Sequence, residues 1–480
     1  MKDKKNQNSS RRNFIRNVAL AGTAFYIVPR HVLGGKGFTA PSDKLIIAGV
    51  GVGGKGESDI FNFTQKGKAD IAFLVDVDER QTATSRKRFP KATNLKDYRQ
   101  LFEKHSKSFD AVSVSIPDHM HAPVAMLAMQ LGKHVYVQKP MAHDIYEARK
   151  MTEAANKYKV VTQMGNQGSS REGVKKMKKW YDEGRIGEVH TVYCFTDRPV
   201  WPQGLAWPAD KPLIPNELDW NLWLGSAPYK DYFNNLVPFN WRGWWNYGTG
   251  ALGDMGCHNM HPPFALLGLG YPISAQCSVA QQYTQPWVKV QHPECGPLAS
   301  HIILTFKDKA NKEVKLHWMD GGILPDRPDI LDPNESLGDI ENNGCVFIGS
   351  KGVMMCGTYG LNPVILPEKM EKLVWSEKID PLELTHYTDW VDACIAGYNS
   401  SQHKSLNSSF DFAGPFTESI LMGNLAIRSY DIKDFDKKGN IIYPGRNIEL
   451  LWDGPNMKIT NFEAANQFVK REYRSGFGWE

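Results

Sequence analysis

Asp254 and His258 stand four residues apart in Gly250-Ala-Leu-Gly-Asp-Met-Gly-Cys-His258, within a helical pattern that runs from Asp254 to Leu267 past Pro262 and Pro263. Residues at this spacing share one helical face, so a carboxylate and an imidazole can point into one cleft. Lys139 follows a short apolar run, His134 to Val137, in Gln138-Lys139-Pro140. A base, an acid and a cation brought together can take the proton from a hydroxyl and polarise its oxygen. Each residue also has a plainer reading. His258 can be a structural histidine bonded to Asp254, Asp254 a helix cap, and Lys139 a surface lysine. His261, three residues on, is a candidate substrate contact or an ordinary core or capping residue.

Such proton chemistry becomes redox chemistry beside a hydride acceptor, and the chain carries the elements that hold one. Lys44 to Val50 reads as a buried parallel strand. Gly51-Val-Gly-Gly-Lys-Gly56 follows it. Two registers of G-x-G-x-x-G fit, Gly49/Gly51/Gly54 and Gly51/Gly53/Gly56, and the second leaves a full strand before the turn. Its glycines make the tight turn, let a pyrophosphate approach the backbone and bring the helix N-terminus close to the phosphates. Asp76 ends a second strand, Ile71 to Val75, 25 residues after Gly51. An acid there can accept from the adenosine ribose and repel a 2′-phosphate, which favours NAD over NADP. Arg80 and Arg86 close behind leave room for NADP. A third strand, Ala111 to Ile116, leads into Pro117-Asp-His-Met-His121, and the fourth ends at Lys139. Helical stretches at Tyr98–His105 and Pro123–Leu131 fall between. The alternation predicts an α/β fold with a doubly wound parallel sheet and its ligand at the carboxyl ends of the strands. Pro117, His119, His121 and Lys139 sit at such ends and join Gly51, Gly53, Gly54, Gly56 and Asp76 as candidates to hold the coenzyme.

With these motifs, Gly132-Lys-His-Val-Tyr-Val-Gln-Lys-Pro140 and Phe347-Ile-Gly-Ser-Lys-Gly352 in place, the chain resembles the Gfo/Idh/MocA oxidoreductases. The resemblance implies an amino-terminal Rossmann domain and a carboxyl-terminal α/β domain on an open, mainly antiparallel sheet. It implies His258 as general base, with Lys139 and Asp254 binding substrate hydroxyls. We assign Lys139 to the reacting oxygen and Asp254 to neighbouring hydroxyls. It also implies a carbohydrate-type substrate and oligomers built sheet to sheet. One departure is clear: the family usually has Glu-Lys-Pro, and here Gln138 replaces the acid. Candidate strands at Val189–Phe195, Ile273–Val279, His301–Phe306, Glu313–Trp318 and Gly344–Ile348 suit the second sheet and read as antiparallel. Domains are expected at 41–165 and 166–480, after a segment at 1–40.

Asp254, His258 and His261 could also be read as metal ligands, but the coenzyme reading accounts for the site and no metal is expected. Trp201, Trp207, Trp220, Trp223, Trp241, Trp244 and Trp245 make up seven of the 14 tryptophans. Most are expected in the core, with one or two lining a sugar-binding cleft, and Arg242 as an added substrate contact.

The first segment colours the composition. Residues 1–40 hold eight Lys and Arg against one acid, leaving 49 basic and 51 acidic residues in the remainder. The formal charge of +5 thus belongs to the leader, and a nucleic-acid surface has no support. Ser10-Arg11-Arg12-Asn13-Phe14-Ile15-Arg16, followed by a short apolar run from Val18 to Val28, matches a twin-arginine export signal. It predicts a periplasmic protein folded before export with its coenzyme aboard. The run is shorter than a membrane span, and no later stretch is long enough. The seven cysteines form no C-x-x-C pair, and free thiols are expected. Three functions are weighed: a carbohydrate dehydrogenase with bound NAD, an NAD-dependent glycosidase working by transient oxidation and elimination, and a redox-inactive carbohydrate-binding protein.

Overall fold

The apolar runs that close on a glycine, an acid or a lysine form a parallel sheet. Its strands are β1 (Leu45–Val50), β2 (Ala69–Val75), β3 (Thr93–Leu95), β4 (Ala111–Val114), β5 (His134–Gln138) and β6 (Thr162–Gly165), in the order β3-β2-β1-β4-β5-β6. Every pairing is parallel. The computed structural model describes residues 43–290, 293–366 and 383–479. The arginine pair and the apolar run after it lie outside them. β4 is buried along its whole length, which is why it reads as an unbroken apolar run. The order reverses between β1 and β4, so a crevice opens at their carboxyl ends.

Helices α1 (Lys55–Phe63), α2 (Tyr98–His105), α3 (His121–Gln130) and α4 (Ile145–Tyr158) flank this sheet. α3 starts two residues before the expected Pro123, because proline is tolerated in a first turn whose N–H groups lack partners. Asp144 and Glu147 form a reciprocal capping box that starts α4.

The second sheet comprises β7 (Val189–Phe195), β8 (Ser274–Val279), β9 (Ser300–Lys307), β10 (Glu313–Met319), β11 (Gly344–Gly349), β12 (Val353–Cys356), β13 (Val364–Leu366), β14 (Leu450–Asp453) and β15 (Lys458–Ile459). The order is β13-β12-β11-β7-β10-β9-β8-β14-β15. Its pairings are antiparallel except for β7 with β10. That parallel pair arises because β7 enters between two strands that arrive later, antiparallel to β11 and parallel to β10. Alternation assigns the faces. Ile302, Leu304, Phe306, Val314, Leu316 and Trp318 are fully buried, while His301, Ile303 and His317 between them are half-buried.

Helices α5 (Gly250–Asn259), α6 (His261–Leu267), α7 (Glu383–Ala396) and α8 (Phe410–Tyr430) complete the frame. The expected single helix from Asp254 to Leu267 is two helices joined at Met260. Pro262 and Pro263 begin the second one instead of interrupting the first. Asp254 therefore sits inside α5 and does not cap it. α8 packs on α4, α5 and β8, and so spans both sheets. Two late segments return to the first sheet. Trp390 of α7 packs on Phe63 and Tyr136, with ring centroids 4.9 and 5.5 Å away. Arg471 donates to Glu147 Oε1 at 2.6 Å, and its own N–H donates to Asp144 Oδ2 at 3.2 Å. Tyr473 Oη also donates to Glu147 Oε1, at 2.9 Å.

Candidate active site

Lys139 leaves the end of β5 and meets α5. Its Nζ donates to Asp254 Oδ1 at 2.8 Å and to the Asp254 backbone oxygen at 2.7 Å. Arg242 Nε donates to the same Oδ1 at 3.1 Å. The Arg242 guanidinium is held over the rings of Phe239 and Trp241, each centroid 4.5 Å away, and its Nη1 donates to the Phe239 carbonyl. Burial works against a charge on Asp254, but Lys139 and Arg242 outweigh it and hold the carboxyl well below the usual carboxylate range. Asp254 thus fixes where Lys139 points.

His258 lies one turn further along α5, as its spacing requires. Its Nδ1 is 3.3 Å from Asn166 Oδ1, so the structural reading in which it bonds to Asp254 does not hold. An Nδ1–H donated to Asn166 leaves Nε2 as the basic atom of the ring. Tyr359 packs edge-on against the imidazole, with centroids 4.4 Å apart. Burial, reinforced by the nearby Lys139 ammonium, pushes His258 well below its ordinary value, so the ring is neutral. Asp118 completes the cluster. It accepts from Thr249 Oγ1 at 2.7 Å, and burial pushes its carboxyl up to about 7. Sequence reasoning passed over Asn166, Tyr359, Asp118 and Thr249. Asn166 directly follows β6, so its strand-end position was a usable signal; Tyr359 comes from a distant turn and offered none.

The glycine turn suits a dinucleotide. A Cβ on Gly56 would lie 2.0 Å from the Gly51 carbonyl oxygen, and one on Gly51 would lie 2.3 Å from the Ser115 oxygen. These two glycines allow the close helix–strand contact. The roles in the middle of the turn differ from those expected. A Cβ on Gly53 would meet Gln81, whereas Gly54, at φ +51°, faces open space at the N-terminus of α1. Gly54 is therefore the residue that leaves room for a phosphate. Asp76 accepts from the backbone N–H of Val52 at 2.9 Å and of Asp78 at 3.0 Å. It braces the turn and keeps lone pairs for ribose hydroxyls. Arg80 is committed to Asp78 through two 2.7 Å bonds, and Arg86 lies 3.9 Å from Glu79. These contacts hold both arginines against acids.

His119 and His121 take places other than those expected, and His261 takes the plainer of its two. Both ring nitrogens of His121 lie 2.7 Å from backbone carbonyls, those of Pro140 and Ile116. His119 is fully buried against Trp223 and Tyr247, with Nε2 3.2 Å from the Trp223 carbonyl. Each ties the strand ends together from within and presents no side chain to a coenzyme. His261 packs among Phe412 and Phe416, and burial pushes it down to about 4. It is a core residue, because the break at Met260 turns it off the face shared by Asp254 and His258. Pro117 stays at the strand end and precedes a short 3-10 turn. Six of the seven clustered tryptophans are buried. Among the described residues, no group of three or more His, Cys, Asp or Glu could hold a metal ion, and no helix is long and apolar enough to cross a membrane.

A parallel sheet ordered 3-2-1-4-5-6, a glycine turn at its switch point and an acid after the second strand define a dinucleotide-binding protein. The description of the oxidoreductase family with an NAD-binding Rossmann fold, GFO/IDH/MocA, matches residues 45–166, and that of its C-terminal alpha/beta domain matches residues 172–326. The chain belongs to this family. Levoglucosan dehydrogenase of Pseudarthrobacter phenanthrenivorans is 25% identical over 206 residues, 43% of this chain and 44% of that protein. Glycosyl hydrolase family 109 protein 1 of a Shewanella species (strain ANA-3) is 28% identical over 153 residues, 29% of this chain and 33% of that protein. The matches thus span less than half the length of these curated relatives. A solved structure of levoglucosan dehydrogenase in complex with NADH superposes with a TM-score of 0.53 at 15% identity, over 80% of this chain and 98% of that one. That likeness is one of fold.

Proposed function

We propose that the protein is an NAD-dependent oxidoreductase that oxidises a CH–OH group of a carbohydrate and keeps its coenzyme bound. The carrying observation is the Lys139–Asp254 pair, 2.8 Å apart and one helical turn from a neutral His258. NAD, when bound, supplies the hydride acceptor. Everything else falls to the side chains. Lys139, aimed by Asp254, donates to the reacting oxygen and stabilises negative charge as the proton leaves. His258 Nε2 takes the hydroxyl proton, and Asn166 and Tyr359 fix the plane of its ring. Asp254 and Arg242 bind neighbouring hydroxyls. The dehydrogenase relative and the protein's own donor set both suit a sugar, sugar acid, glycoside or cyclitol.

The matching glycosyl hydrolase favours a second reading. Oxidation of a ring hydroxyl acidifies the neighbouring C–H, the glycosidic substituent leaves by elimination, water adds and the ketone is reduced. The same base and cation serve both schemes, which differ in whether electrons end on another molecule or return to the same one. A redox-inactive carbohydrate-binding protein is disfavoured by the assembled proton-transfer groups.

The twin-arginine pattern supports export to the periplasm with the coenzyme already held. Such an enzyme must close its redox cycle without exchanging NAD. The half-buried outer face of the second sheet supports pairing of two copies through that sheet. The experiment is to denature the purified protein, identify the nucleotide released, and screen carbohydrates for a change in bound NADH fluorescence. Release of NAD and a substrate-dependent signal are expected; free sugar without net NADH marks the glycosidase scheme. A protein with neither bound nucleotide nor nucleotide affinity refutes both.

A further inference from the structure

A cavity of 680 Å³ lies against the C-terminal end of α8, and none of Lys139, Asp254 and His258 lines it. Its volume falls within the roughly 300–1,000 Å³ typical of small-molecule sites. Arg428 enters it from α8 and rests on the rings of Phe468 and Trp245, centroids 4.3 and 6.0 Å from the guanidinium carbon. The guanidinium makes no hydrogen bond or ion pair with the described residues. Burial pushes Arg428 down to about 10, with Asp144 acting through space as its counter-charge. A half-buried fork of donors, held by ring stacking and facing a cavity, is placed to receive an acceptor.

The other charges in the wall do not supply that acceptor. Asp431 is already shared between Arg446 at 2.5 Å and Lys289 at 3.3 Å. Lys433 stands exposed at the rim, with no acid paired to it among the described residues. The lining is therefore cationic overall. Gln281, Gln282 and Gln467 add amides that can bond hydroxyls, and Trp245 offers a wall suited to C–H surfaces.

We propose that this cavity is a second ligand site, separate from the catalytic cleft, which takes a sugar acid with its carboxylate on Arg428. The carboxylate matches the planar fork bidentately, the hydroxyls meet the glutamines, and Lys433 steers the anion inward.

The test is calorimetric titration of the nucleotide-loaded protein with glucuronate, glucose and inorganic phosphate. Wild type is expected to bind glucuronate and not glucose. Arg428→Gln should weaken binding at least about tenfold, the scale of a lost charge-assisted hydrogen bond, while Lys139→Ala leaves this binding in place. Lys433→Glu, a surface change that spares the core if Arg428→Gln fails to fold, should weaken it several-fold. Binding lost in Lys139→Ala but kept in Arg428→Gln would place the sugar acid in the catalytic cleft and overturn the proposal. Glucose or phosphate binding as tightly as glucuronate overturns it as well.

Discussion

The side-chain amide of Gln138 donates to the Asp59 carboxylate at 2.7 Å. A carboxylate of α1 thus stands beside the residue that precedes Lys139. Asp59 is fully buried and also takes Ser115 Oγ at 2.8 Å and Lys55 Nζ. Lys55 in turn donates to Tyr387 of α7 at 2.6 Å. Restoring glutamate at 138 would set two carboxylates together in a buried place. Gln138→Glu is expected to lower the melting temperature and turnover, and Gln138→Glu with Asp59→Asn to recover most of both. A double-mutant cycle in thermal melts checks this; full additivity would show that the two positions do not communicate.

Lys139 and Asp254 should fail in different ways. Lys139→Met removes the donor to the reacting oxygen and is expected to cost about 10²–10³ in kcat. Asp254→Asn leaves Lys139 and Arg242 without their shared counter-charge, and losing one partner of a buried pair costs about 3 kcal/mol or more. Its loss should show in stability as well as rate. The Asp254 carboxyl titrates below its ordinary value, so its contribution is complete above about pH 4 and fades only as the pH falls further. Steady-state kinetics with urea melts separates the two effects.

His258 is held neutral, and the sign of that shift sets the pH profile. A depressed value keeps the free base present as pH falls through 6.5. The acid limb of kcat/KM should therefore lie clearly below pH 6.5, and His258→Gln should lose about 10²–10⁴ in rate. A limb centred at 6.5 in the wild type would assign the base elsewhere or expose the ring to water.

Gly56→Ala puts a methyl group 2.0 Å from the Gly51 carbonyl oxygen. The helix must then move off the turn. Nucleotide-free protein is expected after purification, with secondary structure retained by circular dichroism. Asp76→Ala should loosen the same turn and raise the affinity for NADP relative to NAD, read by titration with both.

The sequence was most legible where chemistry and periodicity coincide. The strand-end motifs and the four-residue spacing on α5 led to the glycine turn, Asp76, Lys139, Asp254 and His258. It misled where one residue type serves two ends. His119 and His121 resemble ligands at a strand's end, yet their rings turn inward to carbonyls, and a sequence does not report side-chain direction. Between its two readings His261 takes the core one, because Pro262 and Pro263 looked like an interruption and were in fact a fresh start. Tyr359 and the Gln138–Asp59 contact depend on tertiary pairing over 101 and 79 residues, which no local pattern encodes.

Arg471 bears on how this protein can be taken apart. Glu147 is fully buried and Asp144 nearly so, and the cation that answers them arrives from more than 320 residues later. Arg471→Met should cost about 3–5 kcal/mol by stranding those carboxylates, measured by chemical denaturation. The nucleotide-binding region is consequently not a cassette. A chimera that exchanges only residues 45–165 with a relative inherits an open seam, and a working exchange must carry α7 and the segment around Arg471 along with it.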